Sequence, residues 1–361
     1  MDAPVLDELI AVLGDRTDPR DYPHAAHVEQ EVLVYDAAGL RAAPPSELAR
    51  AFAEGPGVIV VRGALERAVV DRATAEFDAM IAEQHAAGRR VGDHFAAPGT
   101  NDRVWNALEK LAVRAPEVFV DYYACDVLAL VSLAWLGPGY QVTSQVNVVH
   151  PGGTAQVGHR DYHLGFLPPT EIARYPAPVH RLSPVLTLQG AVAHADMPVE
   201  SGPTRYLPHS QKYGDGYLAT ALPEFTEYFA RRHVQLPLDV GDAAFFNPAV
   251  IHGAGDNRSA DVRRTANLLQ VGSAFGRAME SVDRARICRA VYPHLRDGHE
   301  HAIAAAAEGY AFPTNLDRDP PVDGLAPPTQ ADLLRRAVAQ RWTAAAFDAA
   351  LTDHSRRRES H

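Results

Sequence analysis

Residues 157–166 read VGHRDYHLGF, and the conformation given to these ten residues decides the fold. In a helix, His159 and His163 stand one turn apart, as in a zinc-binding helix. Gly158 and Gly165 weaken a helix, however, and the glutamate of an HExxH motif is missing. In a kinase-type catalytic loop, HRD is followed by a catalytic Asn and later by DFG. Here YHLGF follows Asp161, and the chain contains no DFG. In a strand, side chains alternate, so Val157, His159, Asp161 and His163 share one face and Arg160 points outward. A His and an Asp two apart on one face reach a single metal ion. They supply two members of a 2-His-1-carboxylate triad, which leaves three positions open on Fe(II). A polar strand end at the surface, with no ligand, is the bland alternative.

The third ligand has to come from a later strand, and FFNPAVIHGAGDNRSADVRRTANLLQVG (245–272) offers His252. It follows an apolar run and opens a Gly-rich loop. Arg263 lies eleven residues on, at the start of the next strand. A guanidinium placed there pairs in bidentate fashion with the far carboxylate of a dicarboxylate cosubstrate. Arg264 is adjacent and faces the opposite way. Thr265 and Asn267 share the parity of Arg263 and make that face the more polar one, so the expectation falls on Arg263.

Around these motifs the chain divides into three zones, read as one domain over 1–361. Residues 1–140 are helical in pattern with one early strand, GVIVVRG (57–63). SELARAFAEG (46–55) predicts a helix with a Ser N-cap, LERAVVDRATAEFDAMIAEQHAAG (65–88) a long helix, and VFVDYYACDVLALVSLAWLG (118–137) a buried helix, apolar nearly all round. Residues 141–275 hold short β-rich runs broken by Gly and Pro, the pattern of an antiparallel sandwich or barrel. Residues 276–361 return to helix, interrupted by the Pro-rich segment 314–330.

The combined segments resemble the phytanoyl-CoA dioxygenase family of Fe(II)/2-oxoglutarate oxygenases. The likeness rests on HRD (159–161), ESGPTRYLPHSQKYGDG (200–216), GDAAFFNP (241–248) and HGAGDNRS with its trailing arginine (252–263). GPGVIVVRGALERAVVDRA resembles the family's opening strand and helix, and the likeness covers roughly residues 50–275. It implies a mainly β core, a double-stranded β-helix (jelly roll, cupin-like), with flanking helices. It implies Fe(II) held by His159, Asp161 and His252, 2-oxoglutarate held by Arg263, and O2 as cosubstrate. Many members carry a Ser two residues after the distal His, where Ala254 stands here; Thr265 or Asn267 is the expected substitute. Halogenases of this fold lack the carboxylate ligand, so Asp161 implies hydroxylation of a small molecule, with desaturation or ring formation less common.

Other polar residues are assigned around this site. Thr143, Gln145 and Asn147 form one polar face of the run TSQVNVVH, and Gln145 and Asn147 are candidates to bind 2-oxoglutarate or substrate. His163, Arg103 and Trp105 are candidate substrate contacts, the last two within the loop HFAAPGTNDRVWN (94–106). His163 reads equally as a satisfied structural histidine. Two other classes of function fit the same scaffold. One is a zinc- or manganese-dependent isomerase or hydrolase, which has no use for the arginine; the other is a non-catalytic binding protein.

Composition sets outer bounds. The 361 residues carry a net charge of −11 and are 47% hydrophobic, enough apolar material for a sizeable core and the wrong sign for a nucleic-acid binder. Arg356–Arg358 is the one basic run and is expected in a frayed tail. Cys125 and Cys288 form no CxxC pair, and neither a signal segment nor an apolar run of membrane-spanning length is visible. The expectation is a soluble cytoplasmic enzyme with a small-molecule substrate and no nucleic-acid or membrane partner. Oligomeric state is not legible.

Overall fold

The computed structural model describes residues 4–88 and 100–360. Its centre is an eight-stranded sheet facing a three-stranded one. Eleven strands occur among the described residues, numbered in chain order. The four before residue 140 are β1 (His27–Glu29), β2 (Val32–Asp36), β3 (Val58–Arg62) and β4 (Asn101–Val104). Then come β5 (Gln141–Val149), β6 (Thr187–Ala193), β7 (Arg205–Leu207), β8 (Val234–Gln235) and β9 (Ala243–Phe246). The last two are β10 (Ile251–Gly253) and β11 (Arg264–Gly272). The large sheet runs β1-β2-β3-β9-β6-β11-β5-β4, and the small one runs β10-β7-β8. All pairings are antiparallel except β2 with β3. Two sheets packed face to face give the jelly-roll core that the family resemblance implied.

Alternation along the strands divides the core in two. Val32, Val34, Val58, Val60, Ala244 and Phe246 point inward, toward Tyr206, Leu236 and Leu238 around the small sheet. Leu33, Tyr35, Ile59, Val61, Val146 and Val148 point outward into a larger cluster shared with the helices. Burial of each such side chain contributes roughly 1.5–3 kcal/mol, so a one-residue slip of any central strand is prohibitive.

The N-terminal zone departs from expectation. It holds four strands where the sequence suggested one, and all four extend the large sheet. β4 was hidden because NDRV is polar and lies fully buried at the sheet edge, beside β5. The helix over 46–55 runs Pro45–Ala53, with Pro45 at its first position and no side-chain cap from Ser46. The long helix runs Arg67–Ala86. The apolar stretch 118–137 is two helices, Pro116–Tyr123 and Asp126–Leu136, bent by 60° at the break. Among the described residues no single helix is long and apolar enough to cross a membrane.

The C-terminal arginines are not frayed. They end the helix Ala344–Arg358, and Arg357 pairs at 3.2 Å with Asp319, which is fully buried in the Pro-rich segment. That helix therefore pins residues 314–330 to the body.

Candidate active site

The stretch 157–166 is not a core strand. His159 forms an isolated antiparallel bridge with His252, through N–H to O=C bonds of 2.9 and 3.0 Å in the two directions. Beyond Asp161 the chain reverses. Tyr162 and His163 have φ of 65° and 45°, and residues 163–166 make a short 3-10 turn. Left-handed conformations at two successive bulky residues cost on the order of 1–3 kcal/mol each. They persist because the carbonyl of Tyr162 accepts from Gly165 N–H and from Ser183 Oγ, and the carbonyl of Asp161 accepts from Tyr217 Oη at 3.2 Å.

Even without a strand, His159 and Asp161 converge with His252. The three candidate ligand atoms all lie within 4.8 Å of one another. Asp161 carboxylate oxygens stand 3.6 Å from His159 Nε2 and 3.4 Å from His252 Nε2. Both imidazoles are oriented alike: Nδ1 of His159 bonds the carbonyl of Val157 at 2.8 Å, and Nδ1 of His252 bonds that of Val250 at 2.9 Å. A carbonyl takes only a donor, so Nδ1 carries the proton and each Nε2 presents a lone pair to the common point. Burial pushes His159 below its ordinary pKa, which keeps it neutral. Burial opposes ionisation of Asp161, and the Gln189 Nε2–H that donates to its Oδ2 at 2.5 Å favours the carboxylate. Two imidazole nitrogens and one carboxylate on one side of a point form the donor set of a facial iron site. Phe246 backs the site, its ring centroid 4.7 Å from that of His252.

The triad lies in a cavity of about 700 Å³ between the two sheets. Its wall includes Asn147, Gln156, Gln189, Arg264 and Gln270 on the polar side. Trp105, Phe166, Leu167, Pro168 and Met279 supply an apolar side.

The structure places the two adjacent arginines differently from the expectation. Arg263 precedes β11, its side chain is half exposed, and it lies 3.6 Å from Asp78 on the surface. Arg264 is the buried one. Its Nη1 donates to the carbonyls of Ser201 and Gly255 at 3.1 and 3.2 Å, and no carboxylate pairs with it among the described residues. Burial alone pushes its pKa down to about 10. A buried cation satisfied only by carbonyls is costly unless an anion completes it, so this position fits a carboxylate ligand. Thr265 is likewise on the wrong face: its hydroxyl donates to the carbonyl of Arg263 at 3.3 Å. Asn267 bonds Tyr122 on the helix side.

The remaining candidates separate as follows. Asn147 lines the cavity, and its Oδ1 is buried with no hydrogen-bond partner. Gln145 is inward but sits behind the wall, where it accepts from Arg103 Nη2 at 2.8 Å. Arg103 and Trp105 both line the cavity, with the guanidinium 4.7 Å above the indole. The first part of their loop, residues 94–99, lies outside the described residues. His163 does not reach the cavity; its Nδ1 meets Ser183 Oγ at 3.3 Å. Arg160 does point away from the triad, but into the protein, not outward to solvent.

Sequence reasoning missed Arg264, Gln189 and Gln156. Strand parity carried a signal for the first, since Arg264 shares a face with Ala266 and Gln270, opposite Asn147 and Gln189. Gln156 lies three residues before His159 and locks the Gly-rich loop: it exchanges bonds with the backbone of Ala254 at 2.9 and 3.1 Å.

A jelly roll with a 2-His-1-carboxylate cluster at its mouth defines the architecture of a mononuclear non-haem iron oxygenase. Residues 53–265 match the phytanoyl-CoA dioxygenase family, more than half of the chain, and the protein belongs to that family. It is 24% identical over 231 residues to the dioxygenase trt7 of Aspergillus terreus, a match covering 64% of this chain and 74% of that one. It is equally 24% identical to the dioxygenase aneA of Aspergillus aculeatus, with coverage of 62% and 72%. Among solved structures it is similar to the non-haem alpha-ketoglutarate-dependent carbocyclase SnoK of nogalamycin biosynthesis. That match has 20% identity, a TM-score of 0.49, and coverage of 65% of this chain and 86% of that one.

Proposed function

We propose that the protein is an Fe(II)- and 2-oxoglutarate-dependent oxygenase that hydroxylates a small molecule, with release of succinate and CO2. The observation that carries this reading is the convergence of His159 Nε2, Asp161 and His252 Nε2 in a cavity whose wall also holds a buried arginine without a carboxylate partner. The three side chains hold the iron on one face and leave the cavity side open. Arg264 takes the distal carboxylate of 2-oxoglutarate, the role the sequence had suggested for Arg263. Asn147, with its partnerless Oδ1, meets a donor of the substrate. Ala254 offers no hydroxyl, and its backbone is occupied by Gln156, so the carboxylate rests on Arg264, since Arg103, the other arginine lining the cavity, is engaged with Gln145 and Trp105.

Iron bound at such a site supplies O2 activation coupled to oxidative decarboxylation of 2-oxoglutarate. The protein supplies orientation and exclusion of bulk water. Trp105, Phe166 and Met279 form the apolar side against which the substrate packs. Asp161 occupies the carboxylate position, which favours a hydroxyl product over halogen transfer. An isomerase or hydrolase using the same triad has no need of Arg264.

The test is succinate release under O2 with Fe(II), 2-oxoglutarate and ascorbate across a metabolite library, each product then identified by mass. A substrate-dependent rise in succinate with a product heavier by one oxygen is expected. Turnover without 2-oxoglutarate, under zinc or manganese, contradicts the reading.

A further inference from the structure

Arg160 separates the two metal-site residues of the HRD motif, and its surroundings are unusual for a residue in that position. It is 3% exposed. Its Nη2 donates to the carbonyls of Ser210 at 2.5 Å and Tyr213 at 2.9 Å, and its guanidinium lies 5.3 Å from the centre of the Tyr217 ring. Its Nε is buried with no hydrogen-bond partner, and no carboxylate pairs with it among the described residues. A buried cation with this little compensation is expensive. Two glycines shape its berth: a Cβ at Gly216 would occupy the space of the guanidinium, and one at Gly165 would collide with the carbonyl of Arg160.

The segment gripped by this guanidinium touches both halves of the triad. Ser210 Oγ accepts from the N–H of Ile251, the residue before His252, at 2.8 Å. Tyr217, stacked on Arg160, donates its hydroxyl to the carbonyl of Asp161 at 3.2 Å. The segments carrying His159 and His252 share an isolated bridge, flanked by the Gln156–Ala254 bonds and by the bond of 3.1 Å from Asp161 N–H to the carbonyl of Pro248, and Asp161 is followed at once by two left-handed residues. The flat, five-donor fork of arginine holds two carbonyls three residues apart while stacking on an aromatic ring; lysine cannot do all three.

We infer that Arg160 is a positioning residue for the metal site. Clamped between the 210–213 carbonyls and Tyr217, it fixes the distance between the His159–Asp161 turn and the strand that carries His252. The inference rests on the oxygenase reading for the identity of the metal, though not for the geometry. Arg160 acts through the three ligands. Arg264, on β11 in the other sheet, is independent of it.

The experiment is an anaerobic calorimetric titration of Fe(II) alone into wild type, Arg160→Met, Arg160→Lys and Gly216→Ala. Folding is checked by circular dichroism, and the 2-oxoglutarate KM is measured in parallel. Gly216→Ala displaces the guanidinium without altering Arg160, so it serves if Arg160→Met does not fold. We expect roughly 10- to 100-fold weaker Fe(II) binding in Arg160→Met and Gly216→Ala, as for other residues that orient metal ligands. Arg160→Lys recovers part of the loss, and the 2-oxoglutarate KM stays within about twofold. Folded variants that bind Fe(II) like wild type, with only a lower Tm, overturn the role of Arg160 and leave the oxygenase reading standing. A wild type that binds no Fe(II) removes both.

Discussion

The two faces of β11 are built from the same kinds of residue and do opposite work. The outward face carries Thr265, Asn267 and Leu269, and its polar groups turn away from the cavity, toward the helices and the backbone. Asn267 Nδ2 donates to Tyr122 Oη at 3.2 Å, and that hydroxyl also meets His194 Nε2 at 2.9 Å, all of it buried under the helices. The inward face carries Arg264, Ala266, Leu268 and Gln270, no more polar by count, and it lines the cavity beside the triad. Polarity on a strand face therefore does not mark a site. What marks it is where an incomplete group points: Arg264 without a carboxylate and Asn147 Oδ1 without a donor line the cavity, whereas Asn267 Oδ1, equally without a partner, is buried under the helices.

Substitutions on the two faces sharpen that contrast. The largest effect belongs to the triad: Asp161→Ala or His252→Ala should lower Fe(II) affinity and turnover by more than roughly 100-fold, beyond what outer partners cost. Next, Arg264→Gln should raise the KM for 2-oxoglutarate roughly 10- to 150-fold, since a hydrogen bond to a charged group is worth about 1.5–3 kcal/mol. Arg263→Gln, which loses only the surface contact with Asp78, should leave that KM within about twofold. If instead Arg263→Gln has the larger effect, the assignment of the two faces is reversed.

On the outward face, Asn267→Ala should cost about 1–2 kcal/mol of stability, read as a lower Tm, with the 2-oxoglutarate KM unchanged. The same network gives a pH signature. His194 is bonded to Thr74 and Tyr122, and burial pushes its pKa down to about 3. The unfolded chain takes up this proton near pH 6.5 while the folded protein refuses it. The associated stability is complete above about pH 6.5 and is lost as the pH falls toward 3, by up to about 1.4 kcal/mol per pH unit. Denaturation midpoints measured from pH 7 to pH 4 should fall less steeply for His194→Gln than for wild type. Parallel profiles contradict a buried neutral His194.

Much of this arrangement is legible in the sequence, though unevenly. The β-rich zone, the early strand at 58–62 and the grouping of His159, Asp161 and His252 follow from Gly/Pro punctuation, β-branched runs and motif spacing, and the family resemblance narrows the zone to a jelly roll. The strand reading of VGHRDYHLGF placed His159 and Asp161 together for an inexact reason: a bridge and a tight turn do what two-residue periodicity suggested. The same periodicity failed at His163, where the chain has already reversed. β4 was not legible because NDRV is polar and buried, which sequence alone reads as loop. Arg263 was favoured because Thr265 and Asn267, whose polar groups bond the carbonyl of Arg263 and the hydroxyl of Tyr122, look in sequence like the lining of a pocket. Arg160 was read as solvent-facing by alternation, whereas its partners at 210–217 are contacts that only the folded chain brings near.

The most direct measurement is anaerobic binding of 2-oxoglutarate, by calorimetry, to wild type, Arg264→Gln and Arg263→Gln, each with and without Fe(II). The account predicts binding that requires Fe(II), is strongly weakened in Arg264→Gln and is unchanged in Arg263→Gln. Binding of equal strength without iron, or no binding by the iron-loaded wild type, would contradict it.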